Sequence, residues 1–270
     1  MKPKKLVILL ALLLLIPLAA EAKPPKKKPK PKPGQEQQQS PTPQAEPART
    51  EQSPPPGLDV EDKLWHFQTG DARGTVNRFA DQADSNAYVS MALGRVLEQE
   101  RSYGEAAGRL QKAAELAPGD PAPLVYLGEV YLRQRNDGAA GEAFRKAADL
   151  ARARGGDGAY YLGVAQLRLK QYDEAVSTLQ GARAPQPALI PYQMGLARFY
   201  QENWSAAAEQ LNRAVETDSG LAYAYYYRGL TQDKLNRKDL LVNDMERFLT
   251  LAPNAPEAER AKAILRAVKH

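Results

Sequence analysis

The chain contains no cysteine and only two histidines, His66 and His270. Without cysteine it cannot form a disulfide framework, a thiolate zinc site or a lipid-modified N-terminal cysteine. Two histidines are too few for a histidine-rich metal site. We therefore expect neither a metal nor a cofactor in this protein.

The sequence also lacks the short motifs of common enzyme classes. It has no His-Glu-x-x-His zinc motif, no Gly-x-Ser-x-Gly nucleophile turn and no Gly-x-x-x-x-Gly-Lys phosphate loop. The glycine-rich run from Arg154 to Gly158 resembles a phosphate loop only superficially and is interpreted as a turn. We therefore expect no catalytic residues and no enzymatic activity.

An excess of basic over acidic residues is confined to the N-terminal part of the chain. Residues 1–56 hold 10 Lys and Arg against 4 Asp and Glu, whereas residues 57–270 hold 27 against 28. The net charge of +5 therefore belongs to the N-terminal arm. A near-neutral remainder argues against a nucleic-acid-binding surface.

The first 22 residues have the pattern of a signal peptide. An apolar run from Leu6 to Leu18 follows three lysines, and Ala20 to Ala22 fits a small-x-small cleavage site. Cleavage after Ala22 predicts an exported protein, which we place in a bacterial periplasm. The alternative is an inner-membrane anchor formed by residues 6–20, although a bilayer span needs about 20 apolar residues.

Residues 23–57 are rich in lysine, proline and glutamine. Because proline fixes φ and the lysines repel one another, this linker cannot form a core, and we expect it to be disordered. It is either a solvated spacer or an electrostatic tether. In the second interpretation, Lys23 to Lys32 contact an anionic membrane or cell-wall polymer.

A repeat occupies the chain from Ala87 to Pro253. Its glycines recur at intervals of 34, 35, 32 and 34 residues: Gly94, Gly128, Gly163, Gly195 and Gly229. A larger apolar residue follows each glycine after sixteen positions: Leu110, Phe144, Leu179, Leu211 and Met245. Each unit contains two runs with apolar residues at helical spacing, joined by a short polar turn, which predicts a helical hairpin. One hairpin cannot bury its apolar face alone, so neighbours must stack.

This period and residue order resemble the tetratricopeptide repeat (TPR) family. The resemblance implies an all-α fold, a right-handed α-solenoid of helical hairpins. Together with the signal-peptide pattern and the disordered arm, it suggests an exported bacterial TPR protein. The five repeats are predicted at about 87–120, 121–155, 156–187, 188–221 and 222–255.

Helices are also predicted on both sides of the five repeats. Residues 58–86 indicate a degenerate helical pair, with helices from Val60 to Phe67 and from Asp71 to Ala83, and residues 256–270 indicate a capping helix. Trp65 is interpreted as a cap over the open edge of the first repeat. His66 has no partner at ligand spacing and is interpreted as structural or solvent-facing.

The resemblance further implies that the first helix of each hairpin lines a concave groove. Tyrosine combines a rigid apolar body with a hydrogen-bonding tip, and arginine captures carboxylates, so both suit recognition. The tyrosines also fit packing between helices, and the sequence leaves both interpretations open. The predicted partner-binding residues are Tyr88, Met91, Arg95, Arg133, Tyr160, Arg168, Tyr192, Tyr200, Tyr223, Tyr226 and Lys234.

The predicted function is a periplasmic scaffold that binds a partner protein or peptide in this groove and supports an envelope assembly. Two alternatives remain: a structural tether that uses the basic arm, and a regulator of a cell-wall or secretion enzyme. No nucleic-acid partner is expected, and self-association is left open.

Overall fold

The computed structural model describes residues 53–269, without the side chain of Lys269. The predicted signal peptide and nearly all of the linker, up to residue 52, lie outside the described residues. Within 53–269 the regular structure consists of thirteen α-helices and two short 3-10 turns, with no strand. None of these described helices has the length and apolar character needed to cross a bilayer. The helices are α1 Glu61–Trp65, α2 Thr69–Asn77, α3 Ala87–Gln99, α4 Tyr103–Leu116, α5 Ala122–Arg133, α6 Asp137–Ala153, α7 Ala159–Arg168, α8 Tyr172–Gln180, α9 Leu189–Tyr200, α10 Trp204–Thr217, α11 Ala222–Lys234, α12 Lys238–Leu251 and α13 Ala258–Lys269.

Ten of these helices form five consecutive hairpins, from α3/α4 to α11/α12. Each helix packs against its hairpin partner and against the next hairpin along the chain. The buried side chains therefore form a core that runs along the stack, as expected for a solenoid. The all-α prediction and the hairpin prediction are confirmed.

The repeated glycines mark the points where the two helices of a hairpin approach most closely. A Cβ atom on Gly128 would lie 2.6 Å from the ring of Phe144, and one on Gly163 would lie 2.6 Å from Cγ of Leu179. The same relation joins each repeated glycine to the larger apolar residue sixteen positions later. Only glycine leaves room for these side chains, so the sequence period reflects a packing requirement.

Each hairpin turns through one residue in the left-handed region, two positions after its first helix ends. These residues are Arg101, Arg135, Lys170, Glu202 and Asn236, with φ between 58° and 65°. The following amide donates to a carbonyl five residues earlier, as in a Schellman motif; Ser102 N–H donates to Leu97 O at 2.9 Å.

The same turn occurs between α1 and α2. Phe67 has φ 58°, and the amide of Gln68 donates to the carbonyl of Lys63 at 2.8 Å. The segment before the first repeat is therefore a shortened sixth hairpin with the geometry of the other five. Its second helix ends at Asn77, before the predicted end at Ala83, and a 3-10 turn at Ala80–Gln82 follows.

Both ends of the stack are covered. At the N-terminal end, Leu64 and Val76 are each 1% exposed and pack against Ala92 and Val96 of α3. At the C-terminal end, α13 packs against α12 and buries Ala261.

Candidate functional site

A cavity of about 380 Å³ lies on the concave side of the stack. Its wall comes mainly from the first helices of the hairpins: α3, α5, α7, α9 and α11. The N-terminal hairpin and the loop that follows α12 complete the wall. A volume of this size lies in the usual range of ligand sites in proteins, about 300–1,000 Å³.

Six of the eleven predicted groove residues line this cavity together. They are Arg95, Arg133, Tyr160, Arg168, Tyr192 and Tyr223. They come from five different helices and are brought together by the stacking of the hairpins. Tyr103, Tyr126 and Tyr161 also line it, so its surface is rich in phenol rings.

The other five predicted residues lie elsewhere. Met91 and Tyr226 are 9% and 2% exposed and pack inside the helical core. Tyr88 packs at the edge of the first-repeat cluster. Tyr200 is 42% exposed, and Lys234 is also exposed; neither lines the cavity.

Two tyrosines belong to the core and also line the cavity. Tyr160 and Tyr192 are 3% and 5% exposed, belong to the central core cluster and line the cavity. Burial raises the pKa of both phenols, so they stay neutral near pH 7. Alanine at either position would remove core packing as well as a groove surface.

Each arginine in the cavity is paired with a glutamate. Arg168 pairs with Glu129 of the neighbouring repeat. Arg95 pairs with Glu61 of α1, and Arg133 pairs with Glu257 of the segment between α12 and α13 at 2.8 Å. Two of the three guanidiniums are therefore neutralised by segments outside the five repeats.

Arg95 is the most enclosed of these cations, since only 7% of its side chain is exposed. Its guanidinium carbon lies 4.2 Å from the centre of the Tyr126 ring and 5.3 Å from that of Trp65. Burial opposes its charge, but the charge and hydrogen bond of Glu61, together with Tyr126 and Glu98, outweigh that effect, so the pKa of Arg95 is raised. A fixed positive charge between aromatic faces suits capture of a carboxylate.

Glu98 adds a group that titrates near neutrality. Burial raises its pKa to about 7, and the carboxylate of Glu129 acts in the same direction. The three arginines of the cavity oppose this rise. Near pH 7 the Glu98 carboxyl is therefore protonated in part of the molecules and can donate a hydrogen bond in these.

The chain's own N-terminal hairpin occupies part of the concave side. We call residues 58–69 the inner segment. Its Leu64 carbonyl accepts from the side-chain amide of Gln99, and its Phe67 ring lies 5.4 Å from the ring of Tyr223. Trp65 packs against the central core cluster, so it lies on the concave side and does not cap the outer edge.

The inner segment also contacts residues just before and just after the two helices of the fourth repeat. His66 Nε2 lies 2.8 Å from Asp218 Oδ2, and Asp62 Oδ1 accepts from Gln186 Nε2 at 3.0 Å. These contacts cross 152 and 124 positions of sequence. His66 is therefore structural, with partners that its sequence neighbourhood does not reveal.

The loop after α12 closes the cavity from the other end. Arg101 donates to the carbonyl of Asn254 at 3.1 Å, and Tyr223 donates to Glu257. Because Arg133 of the second repeat pairs with Glu257, this loop joins the last repeat to both the first and the second repeat.

Sequence reasoning missed the closing residues Glu61, Trp65, His66 and Glu257. The one local signal was the run Trp65-His66-Phe67, which is aromatic in an otherwise polar stretch.

Within residues 53–269 there is no group of three or more His, Cys, Asp and Glu side chains that could hold a metal ion.

Comparison with family models finds the same repeat that the sequence period predicts. The tetratricopeptide repeat model matches residues 68–121, 92–157, 127–189 and 192–256. No curated protein sequence matches the chain.

Many solved structures are similar to this chain, among them the following two. The APC/C hetero-tetramer Cut9-Hcn1 superimposes with a TM-score of 0.54 and 17% identity, over 77% of this chain and 41% of that one. TTC0263, a thermophilic TPR protein of Thermus thermophilus, gives 0.53 and 20%, over 67% of this chain and 99% of that one. This chain thus spans less than half the length of the first relative and almost all of the second.

The family matches cover well over half of the sequence and follow the hairpins seen in the structure. The chain belongs to the tetratricopeptide repeat family.

Proposed function

We propose that this protein is a scaffold of an envelope assembly and binds a short segment of a partner protein on its concave side. The observation that carries the proposal is the cavity whose wall holds six tyrosines and three arginines. Proteins of this family bind protein or peptide partners through their stacked hairpins.

The chemistry of the wall favours a polypeptide over a purely apolar ligand. Neutral phenols offer a flat apolar face and one hydrogen-bonding group, at a low cost in side-chain entropy. The guanidiniums add directional donors for carboxylates. A groove of this type is expected to bind one segment with micromolar affinity, about −8 kcal/mol.

The proposed location is the bacterial periplasm. Its support is the signal-peptide pattern of residues 1–22, which lies outside the described residues. The partner would then be an exported or membrane protein whose segment is accessible in that compartment.

Site-specific photo-crosslinking in intact cells tests the proposal. A photoreactive residue replaces Asn254, which is exposed and lines the cavity, or Glu209, which is exposed on the second helix α10. We expect one defined protein to be crosslinked from position 254 and not from position 209. Equal crosslinking from both positions, or none from position 254, would contradict binding of the partner on the concave side.

A paired substitution tests whether the cavity itself holds the partner. Glu129→Gln with Arg168→Gln removes both members of one ion pair, so no buried charge is left uncompensated. We expect the crosslink at 254 to fall sharply while circular dichroism stays helical. An unchanged crosslink would place the contact elsewhere.

Deleting residues 23–57 separates the groove from the basic arm. If the groove binds the partner, capture should survive the deletion. If the arm is a tether, capture and function should both be lost.

A further inference from the structure

The inner segment occupies the concave side, where the proposed function needs a partner. It places a short helix, α1, against α2 and against α3, the first helix of the first repeat, with Val60 and Leu64 buried. Side chains of repeats one, four and five hold it, through Arg95, Asp218 and Tyr223. In its position and its contacts it resembles a peptide bound in a groove.

The contacts of the inner segment define a recognition pattern. Glu61 delivers a carboxylate to Arg95, and Trp65, four residues later, lies beside the same guanidinium at 5.3 Å. Residues four apart share one face of a helix, so both groups point to one side. Phe67 then contacts Tyr223 from the turn that follows.

The helix of the inner segment is short and carries a buried polar atom without a hydrogen bond. The indole nitrogen of Trp65 is buried and has no hydrogen-bond partner among the described residues. The helix α1 has five residues, and its N-cap residue Val60 supplies no side-chain hydrogen bond. So short a helix is not stable by itself and depends on the surface it covers.

We propose that the inner segment is an internal ligand that competes with the partner for the groove. The proposal rests on the proposed function and specifies the partner's chemistry: a short helix with a carboxylate and, four residues later, an aromatic ring. Displacing the inner segment leaves Arg95 without Glu61, so the incoming segment must bring a carboxylate of its own. Because the internal copy is tethered, its effective concentration weakens binding of any external copy.

A synthetic peptide with the sequence of residues 57–70 and Trp65→Phe serves as the probe. The protein carries Trp204→Phe, which leaves Trp65 as its one tryptophan. Tryptophan fluorescence then reports on Trp65 alone, while a dye on the peptide reports binding through anisotropy. We expect Trp65 emission to shift to longer wavelength as the peptide expels the inner segment into water.

Two variants of the protein give the comparison. Glu61→Gln removes the pairing with Arg95, and Asp59→Asn removes a carboxylate of the same segment that is 79% exposed. We expect the peptide to bind the Glu61→Gln protein on the order of tenfold more tightly than the parent, because its internal competitor is weaker. Asp59→Asn should match the parent. A peptide that also carries Glu61→Gln should lose most of its affinity.

Several results would overturn the proposal. Equal peptide affinity for all three proteins would show that the inner segment does not compete. Binding without a change in Trp65 emission would place the peptide at another surface. A dimer formed by exchange of the inner segment, detected by light scattering, would mean that the segment pairs two copies.

The experiment distinguishes this proposal from the proposed function. If the crosslink from position 254 persists in cells and the peptide does not reduce it in cell extracts, the scaffold stands and the internal ligand falls. If the peptide exchanges with the inner segment as expected and no protein is crosslinked from position 254, the exchange of the inner segment stands and the scaffold falls.

Discussion

His66 and Asp218, 152 positions apart in the sequence, are joined by a hydrogen bond of 2.8 Å between Nε2 and Oδ2. The other ring nitrogen, Nδ1, lies 3.3 Å from a carboxylate oxygen of Asp62. Both nitrogens thus face carboxylates, and only the imidazolium donates from both. This arrangement fastens the first described helix to the boundary between the fourth and fifth repeats.

The contact predicts a pH dependence of stability. Burial lowers the pKa of His66, but the hydrogen bond and charge of Asp218, followed by those of Asp62, outweigh it and the pKa is raised above 6.5. The stabilisation is therefore complete below about pH 6.5 and is lost as pH rises through the raised pKa. We expect the urea midpoint of the parent to fall relative to that of His66→Asn between pH 6 and 9. If the midpoints of the two proteins change with pH in parallel, the His66–Asp218 pair contributes nothing to stability.

Glu98 predicts a second pH effect in a lower window. Its pKa is about 7 in the folded protein against 4.5 for the ordinary group, so the folded state holds this proton longer. The contribution to stability is present below pH 4.5 and is lost as pH rises to about 7. We expect Glu98→Gln to flatten the stability profile in this window and to raise the melting temperature at pH 8. The control is Glu115→Gln on α4, where the side chain is 71% exposed and no flattening is expected.

The glycine of the second repeat predicts a packing effect. A Cβ on Gly128 would meet the buried Phe144 ring at 2.6 Å, so Gly128→Ala should reduce the free energy of unfolding by about 1–3 kcal/mol. Gly108 lies on the exposed face of α4 with nothing within 4 Å of such an atom. Gly108→Ala should be neutral or stabilise by up to about 1 kcal/mol, because alanine favours helix. Denaturant unfolding checks both, and equal effects would remove the steric explanation.

The ion pair of Arg228 with Asp244 predicts a large loss of stability. Asp244 has 5% of its side chain exposed and accepts from Nε and Nη2 of Arg228 at 3.0 and 2.6 Å. Arg228→Ala leaves a buried carboxylate without its partner and should cost about 3–5 kcal/mol. The matched control is Arg152→Ala, whose pair with Asp149 is 52% and 75% exposed and should be worth about 0–1 kcal/mol. Similar losses in calorimetry would mean that the burial of Asp244 is not decisive.

Local patterns in the sequence predicted the hairpins, and the family resemblance predicted which helix of each hairpin supplies the residues that line the cavity. Gly163 and Leu179 are sixteen positions apart because the two helices of a hairpin meet at those points, so their packing appears as a sequence period. The first helices supplied the cavity residues Arg95, Tyr160 and Arg168 for the same reason. Which residues share one face of a helix depends only on their spacing along the chain, so it can be predicted from the sequence.

The sequence did not predict the contacts between different segments of the chain. Glu61 and Trp65 were not expected at Arg95, and Glu257 was not expected at Arg133. The turn at Phe67 was not predicted either. Its left-handed φ matches those of the repeat turns, but its residue type does not indicate such a turn. The length of α2 was also overestimated, because apolar residues beyond Asn77 fall in a 3-10 turn and a loop.

By itself the sequence determined that this chain is a stack of helical hairpins, since one unit of 34 residues contains both helices, their turn and their closest contact. The tertiary structure alone decided that the segments flanking the five repeats contact distant repeats, with Glu257 on Arg133 and His66 on Asp218. The physical reason is that these contacts, which cross 124 and 152 positions of sequence, depend on the accumulated rotation between successive hairpins. That rotation brings together residues far apart in the chain, and no single repeat encodes it.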